Sequence, residues 1–132
     1  MTIFVDTSAL LAVLDADDSN HMKARKVWED LINREEQLFS TNYVLVETIA
    51  LVQHRLGIKA LQTLQADILP MFRLEWVNEE IHRAGVAALL AAGRKKLTLV
   101  DLVSFNVMQR LGLQTAFAFD HHFSEQGFAC LP

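Results

Sequence analysis

Short apolar runs alternate with helix-patterned stretches along the whole chain, and this alternation restricts the fold more than any other feature. Ile3-Phe4-Val5 is the first run, and hydrophobic residues at helical spacing follow it from Ala9 to Leu14. Leu38 to Thr41, Phe72 to Val77, Thr115 to Phe119 and Phe128 to Leu131 read as further strands. Between them the spacing predicts helices from Ser19 or Asn20 through Glu36, Asn42 to Leu56, Ile58 to Leu69, Asn78 to Ala92, and Leu99 or Val100 to Leu111. Gly57, Pro70, Gly93 and Gly112 stand where those helices should stop. Strands separated by helices call for a parallel sheet covered on both faces, hence an α/β fold.

With 132 residues, 52% of them hydrophobic, residues 1–132 are expected to form one domain with a sizeable core. No apolar run reaches the roughly 20 residues that a membrane helix needs. Met1 leads straight into a strand without a basic region or cleavage site, so no signal peptide is expected. Cys130 is the only cysteine, which excludes an internal disulfide and suits a reducing, cytoplasmic setting. The net charge of −4, from 16 acids and 12 bases, argues against a generic basic nucleic-acid coat. Without four of those acids the charges would balance, so the acidity is expected to be local.

Four carboxylates stand in places that carboxylates avoid. Asp6 follows the first strand, at the edge where open α/β sheets bind ligands, with the hydroxyls of Thr7 and Ser8 beside it. These residues also suit a simple helix cap. Glu47 has Tyr43, Val44, Ala50 and Leu51 as its helical neighbours, none able to neutralise it, which places it on the core-facing side or else at the edge of the stripe, reaching water or a distant Arg. Asp101 forms the pair Thr98-x-x-Asp101, a capping box, with Ser104 one turn further on. Asp120 ends the run Phe117-Ala118-Phe119 as Asp6 ends the first strand, or else starts an Asx-turn. An all-oxygen set of this kind suits Mg²⁺ or Mn²⁺. The five histidines show no paired ligand spacing, and His121-His122 has no partnering cysteine, so zinc is not expected. Clustered acids should also raise at least one carboxyl pKa when no metal is bound.

These residues resemble the PIN-domain ribonucleases, and within them the toxin half of VapBC-type toxin–antitoxin pairs. Val5-Asp6-Thr7-Ser8-Ala9 matches the family's first motif, and Glu47 falls in the helix of its second acid. Leu97 to Phe105 resembles the third motif and Phe119-Asp120-His121-His122-Phe123 the fourth, in order across the whole chain. Ala118 departs from relatives that carry a Ser or Thr two residues before the last Asp. The resemblance implies a PIN-like three-layer fold with about five parallel strands. It also implies a divalent-metal endoribonuclease acting on tRNA or other structured RNA, as a cytoplasmic homodimer bound by a cognate antitoxin that blocks the acidic pocket.

In that scheme Asp6, Glu47, Asp101 and Asp120 gather one or two Mg²⁺ or Mn²⁺ ions for phosphodiester hydrolysis. Thr7, Ser8 and Ser104 orient carboxylates or waters, and Arg94, Lys95 and Lys96 either steer the RNA backbone or form a solvated basic turn. Haloacid-dehalogenase-type phosphatases need a second Asp where Ser8 stands. A receiver domain needs an acidic pair and a late lysine that this chain lacks. A catalytically inert PIN-like module that binds RNA or protein is the remaining alternative, and lost acids would be its mark. Apolar residues spread around Ile58 to Leu69 point to surface for a partner.

Overall fold

In the computed structural model, which describes residues 1–132, five parallel strands form one sheet in the order β3-β2-β1-β4-β5. The strands are β1 (Thr2–Val5), β2 (Gln37–Thr41), β3 (Phe72–Glu75), β4 (Thr115–Phe117) and β5 (Ala129–Leu131). Flanking them are α1 (Thr7–Leu14), α2 (His21–Asn33), α3 (Asn42–Leu56), α4 (Ile58–Thr63), α5 (Glu79–Ala92), α6 (Leu99–Leu111) and the single turn α7 (His122–Glu125). Ile3, Phe4 and Val5 are each fully buried, so successive side chains on opposite faces of β1 both meet packed layers. Phe117 and Ala116 on β4 and Phe123 on α7 continue that core.

The chain order places a switch point in the middle of the sheet. From β1 the chain moves outward through β2 and β3, then returns to the other edge of β1 for β4 and β5. The carboxyl ends of β1 and β4 therefore flank the crevice that open α/β sheets use for ligands. In register, Val5 pairs with Phe117, and both strands end at that pair.

Several elements end earlier than their sequence patterns suggest. Phe72 to Val77 is paired only as far as Glu75, because its neighbour β2 ends at Thr41, the partner of Glu75. Val77 N–H then donates to Asn42 Oδ1 at 2.7 Å. Likewise Phe119 lies beyond β4, so Asp120 does not end a strand as Asp6 does. Its approach is a loop that Ser8 holds, with Phe119 N–H donating to Ser8 Oγ at 3.0 Å. The helix over Ser19 or Asn20 to Glu36 is α2 alone, preceded by Asn20, whose side chain makes no capping bond. It stops before Glu35, whose φ of 54° turns the chain into β2. Ile58 to Leu69 is not one uniform helix. After α4 the turns widen over Leu64–Ile68, where Leu69 N–H reaches Leu64 C=O, and a tight turn over Leu69–Met71 contains Pro70. Proline cannot donate and crowds the preceding turn, which explains the change. Its apolar residues mostly face inward, with Leu64 and Ile68 buried and Ile58 exposed. The turn α7 had no periodic signature at all, being four residues long.

Gly85 shows how closely α5 and α6 approach. A Cβ there would lie 2.7 Å from Val103 Cγ2 and 3.2 Å from Leu99 Cδ1. Val103 is fully buried and branched at Cβ, so it has no rotamer space in which to yield. Alanine normally favours a helix interior over glycine by about 1 kcal/mol, whereas overpacking a core costs about 1–3 kcal/mol. Gly85→Ala should therefore lower stability by about 1–2 kcal/mol in urea melts. A stabilised variant would show that the helices separate freely.

Candidate functional site

Where β1 gives way to α1, Asp6 takes an extended conformation and caps the helix. Its Oδ2 accepts from Ser8 N–H at 3.2 Å and from Ser8 Oγ–H at 2.7 Å. The same Ser8 hydroxyl accepts from Phe119 N–H, and Asp6 N–H donates to Phe117 C=O at 3.0 Å. One hydroxyl thus couples the ends of two neighbouring strands and sets the Asp6 rotamer. Thr7 serves a different contact: its Oγ1 donates to Val44 C=O at 3.4 Å and lies 3.0 Å from Thr48 Oγ1. That pins α1 against α3.

The Thr98–Asp101 capping box is complete. Thr98 N–H donates to Asp101 Oδ2 at 3.0 Å, and Asp101 N–H donates to Thr98 Oγ1 at 3.2 Å. Asp120 forms the Asx-turn, with His122 N–H donating to its Oδ1 at 2.9 Å. In each aspartate, Asp6, Asp101 and Asp120, one carboxylate oxygen is held by the local backbone and the other makes no protein hydrogen bond. None of those second oxygens is sealed in the interior without a partner. Capping and exposure to a shared site are two uses of the same side chain.

All four acids line one groove of about 360 Å³, together with Thr7, Ser8, Lys96, Thr98 and His122. Glu47 lies in its wall but is only half-buried, and its neighbour Ala50 is exposed. It sits at the margin of the buried stripe of α3 rather than on its core-facing side. Ser104 is buried outside the groove lining, and its hydroxyl donates back to Val100 C=O at 2.8 Å. Of the basic triplet only Lys96 reaches the groove. Arg94 Nη1 pairs with Glu125 Oε2 at 3.2 Å, and Lys95 is exposed elsewhere. His122, Leu11 and Leu51 complete the lining; a residue two places after Asp120, bonded to its side chain, was the available sign for His122. A larger open depression of about 620 Å³ lies along α2 between Lys23, Lys26, Glu29 and Asp30, and it holds no buried acid.

Asp6 is 4% exposed and Asp101 8%, and both carboxyls titrate high. Burial is the first cause at Asp6, pushing its pKa up to about 7, with the Ser8 hydroxyl bond opposing and the charges of Asp120 and Asp101 adding. Burial likewise raises Asp101, opposed by its bonds to Thr98 and reinforced by Asp120. Mutual repulsion is thus real but second to desolvation. No cation lies within salt-bridge range of Asp6, Asp101, Asp120 or Glu47. Three aspartates lining one groove, each with an oxygen that makes no protein hydrogen bond, fit a hard dication such as Mg²⁺ or Mn²⁺.

The Asp6 shift makes a stability prediction with a definite sign. Its folded pKa exceeds the usual 3.8, so its contribution is full below pH 3.8 and is lost as pH rises through about 7. That loss is on the order of 4 kcal/mol for a shift of this size, at about 1.4 kcal/mol per pH unit. Asn keeps the acceptor for Ser8 and carries no charge. Melting curves in EDTA should show Asp6→Asn gaining on wild type between pH 4 and pH 8, with Mn²⁺ narrowing the gap at pH 8. A gap that does not change with pH would mean that Asp6 is not held neutral by burial.

Comparison with known proteins agrees with this geometry. The family described as "PIN domain" matches residues 3–129. The chain is 34% identical over 127 residues to the 23S rRNA-specific endonuclease VapC20 of Mycobacterium tuberculosis, covering 96% of this chain and 95% of that one. The crystal structure of VapC20, described as a Sarcin–Ricin loop cleaving toxin, superposes with a TM-score of 0.84 at 32% identity, covering 96% of both chains. FitAcB from Neisseria gonorrhoeae shares the fold alone, with a TM-score of 0.71 at 18% identity over 100% of this chain and 97% of its own. A five-stranded parallel sheet in this order, acids gathered at its switch point and similarity along nearly the whole length lead to one assignment: the chain belongs to the PIN-domain family, among its VapC-type members.

Proposed function

We propose that this protein is a Mg²⁺- or Mn²⁺-dependent endoribonuclease, the toxin of a toxin–antitoxin pair, with Asp6, Glu47, Asp101 and Asp120 as its metal-binding and catalytic acids. The observation that carries the reading is the shared arrangement of the three aspartates, each with one oxygen fixed by local bonds and one without a protein partner, all lining one groove. A bound dication would supply activation of water and neutralise charge at the phosphate. The chain's own part is to hold the acids still. Ser8 fixes Asp6, the Thr98 box fixes Asp101, and the His122 N–H fixes Asp120, so none of the three aspartates need reorganise when substrate arrives. Thr7 sets the distance from α1 to the helix bearing Glu47. Lys96 offers the groove its one lysine or arginine and therefore meets the RNA backbone.

VapC20 acts on 23S rRNA, which makes a structured rRNA loop the first substrate to test and tRNA the second. The working place is then the cytoplasm; no helix is long and apolar enough to cross a membrane. A homodimer and an antitoxin are proposed as partners, and exposed Val46, Trp76 and Leu90 are apolar surface for them to cover. Isolation from the native source should return the chain with a small bound protein; a lone monomer there would remove the toxin assignment.

Purified protein incubated with total RNA should generate new defined ends with Mg²⁺ or Mn²⁺ and none with EDTA. Asp6→Asn and Asp101→Asn should each lose at least about 100-fold in cleavage rate while remaining folded, and Ser8→Ala about tenfold. Lys96→Gln should reduce the dependence of log affinity on log salt by about one unit. Retained cleavage in both aspartate variants would dismiss this site. Metal-independent RNA binding without cleavage by the wild type would favour an inert binding module.

A further inference from the structure

The turn α7 carries Asp120 at its entrance, yet its own side chains converge on a second centre. His121 Nε2 lies 3.2 Å from Glu125 Oε1, and His122 Nδ1 lies 3.8 Å from Glu125 Oε2. These three residues bring one ligand atom each within 4.8 Å of one another, and no other three His, Cys, Asp or Glu residues do so. The four groove acids line a common wall without closing to that separation.

A separate observation concerns His122. Its side chain is 8% exposed, and Nδ1 is the only buried side-chain nitrogen or oxygen in the protein without a hydrogen-bond partner. Glu125 at 3.8 Å is too distant to satisfy it by hydrogen bonding. A buried polar atom left unpaired is costly and calls for an explanation. A metal ion between the three side chains would satisfy it. Zinc holds nitrogen and oxygen ligands at about 2.0–2.2 Å, so tetrahedral neighbours stand about 3.3–3.6 Å apart. His121 Nε2 stands 3.2 Å from Glu125 Oε1 and His122 Nδ1 stands 3.8 Å from the other carboxylate oxygen, Oε2, and the three side chains offer one ligand atom each within 4.8 Å of one another.

We propose that His121, His122 and Glu125 form a second metal site, for Zn²⁺ or another borderline divalent cation, with an open fourth position. Two imidazoles and one carboxylate select such ions over Mg²⁺, which prefers oxygen alone. Glu125 follows His122 by three residues and His121 by four, positions that share a helix face. Arg94 Nη1 donates to Glu125 Oε2 at 3.2 Å and orients the carboxylate from outside. Because His122 N–H also donates to Asp120 Oδ1, an ion on α7 stiffens the loop that presents Asp120 to the groove. None of its three ligands is a groove acid, although His122 also lines the groove, so metal uptake at α7 is read separately from RNA cleavage.

Co²⁺ is a suitable probe, because its visible absorption strengthens when four ligands replace a six-oxygen shell. With excess Mg²⁺ present, wild type should take up one equivalent of Co²⁺ with the strong, four-coordinate spectrum, and Zn²⁺ should displace it. His121→Gln and Glu125→Gln should each weaken that binding at least tenfold, and Asp101→Asn should leave it in place. His121 and Glu125 are 68% and 38% exposed at the side chain, so both variants are expected to fold, as melting curves will verify. The absence of a four-coordinate spectrum overturns the proposal. So does a spectrum that survives both α7 variants or disappears in Asp101→Asn. Loss of thermal stability in His121→Gln without Co²⁺ uptake by wild type would reduce the cluster to an ion-pair network.

Discussion

Pairing of β1 on both edges and packing on both of its faces set the position of everything chemical in this protein. A strand so enclosed can expose polar groups only at its ends, and at its amino end Met1 C=O accepts from Gln37 N–H at the start of β2 while the terminal amine pairs with Glu36. The carboxyl end remains. There Val5 and Phe117 stop in register, and the two chains leave the sheet side by side. Ser8 then joins the departing segments, its hydroxyl donating a hydrogen bond to Asp6 and accepting one from Phe119 N–H. A single hydroxyl in that position settles both the capping of α1 and the course of the loop that carries Asp120.

Burial and repulsion act on the acids together, and their ranking matters. Were repulsion dominant, separating the charges would relax the site. Desolvation ranks first at both Asp6 and Asp101, so the cost belongs to the place rather than to the company. Backbone bonds to one oxygen of each aspartate recover part of that cost and fix the rotamers. What they leave is concentrated negative charge in a groove where Lys96 is the only lysine or arginine. A folded domain tolerates such a site because the surrounding core is large, with buried strands and helices on every side.

Similarity to FitAcB at 18% identity retains the fold, while similarity to VapC20 at 34% is high enough to establish common family membership. The difference has a physical basis. A parallel sheet needs only apolar runs of the right length between helices, a demand that many sequences meet. Carboxylates at strand ends and helix starts are a narrower demand, because each must be held by a particular cap.

The sequence by itself determined the alternation of strands and helices and the capping chemistry of Asp6 and Asp101, and it left Asp120 between a strand end and an Asx-turn. Periodicity and cap chemistry are local, so a window of a few residues contains the information. Only the tertiary structure decided where strands stop, since β3 and β4 end with their neighbours rather than with their own apolar residues. Only it withdrew Ser104 into its helix, set Glu47 at a margin, separated Lys96 from Arg94, and brought His121, His122 and Glu125 together on a turn too short to have a period. Those outcomes depend on which surfaces face each other across the fold, and spacing along a chain does not carry that.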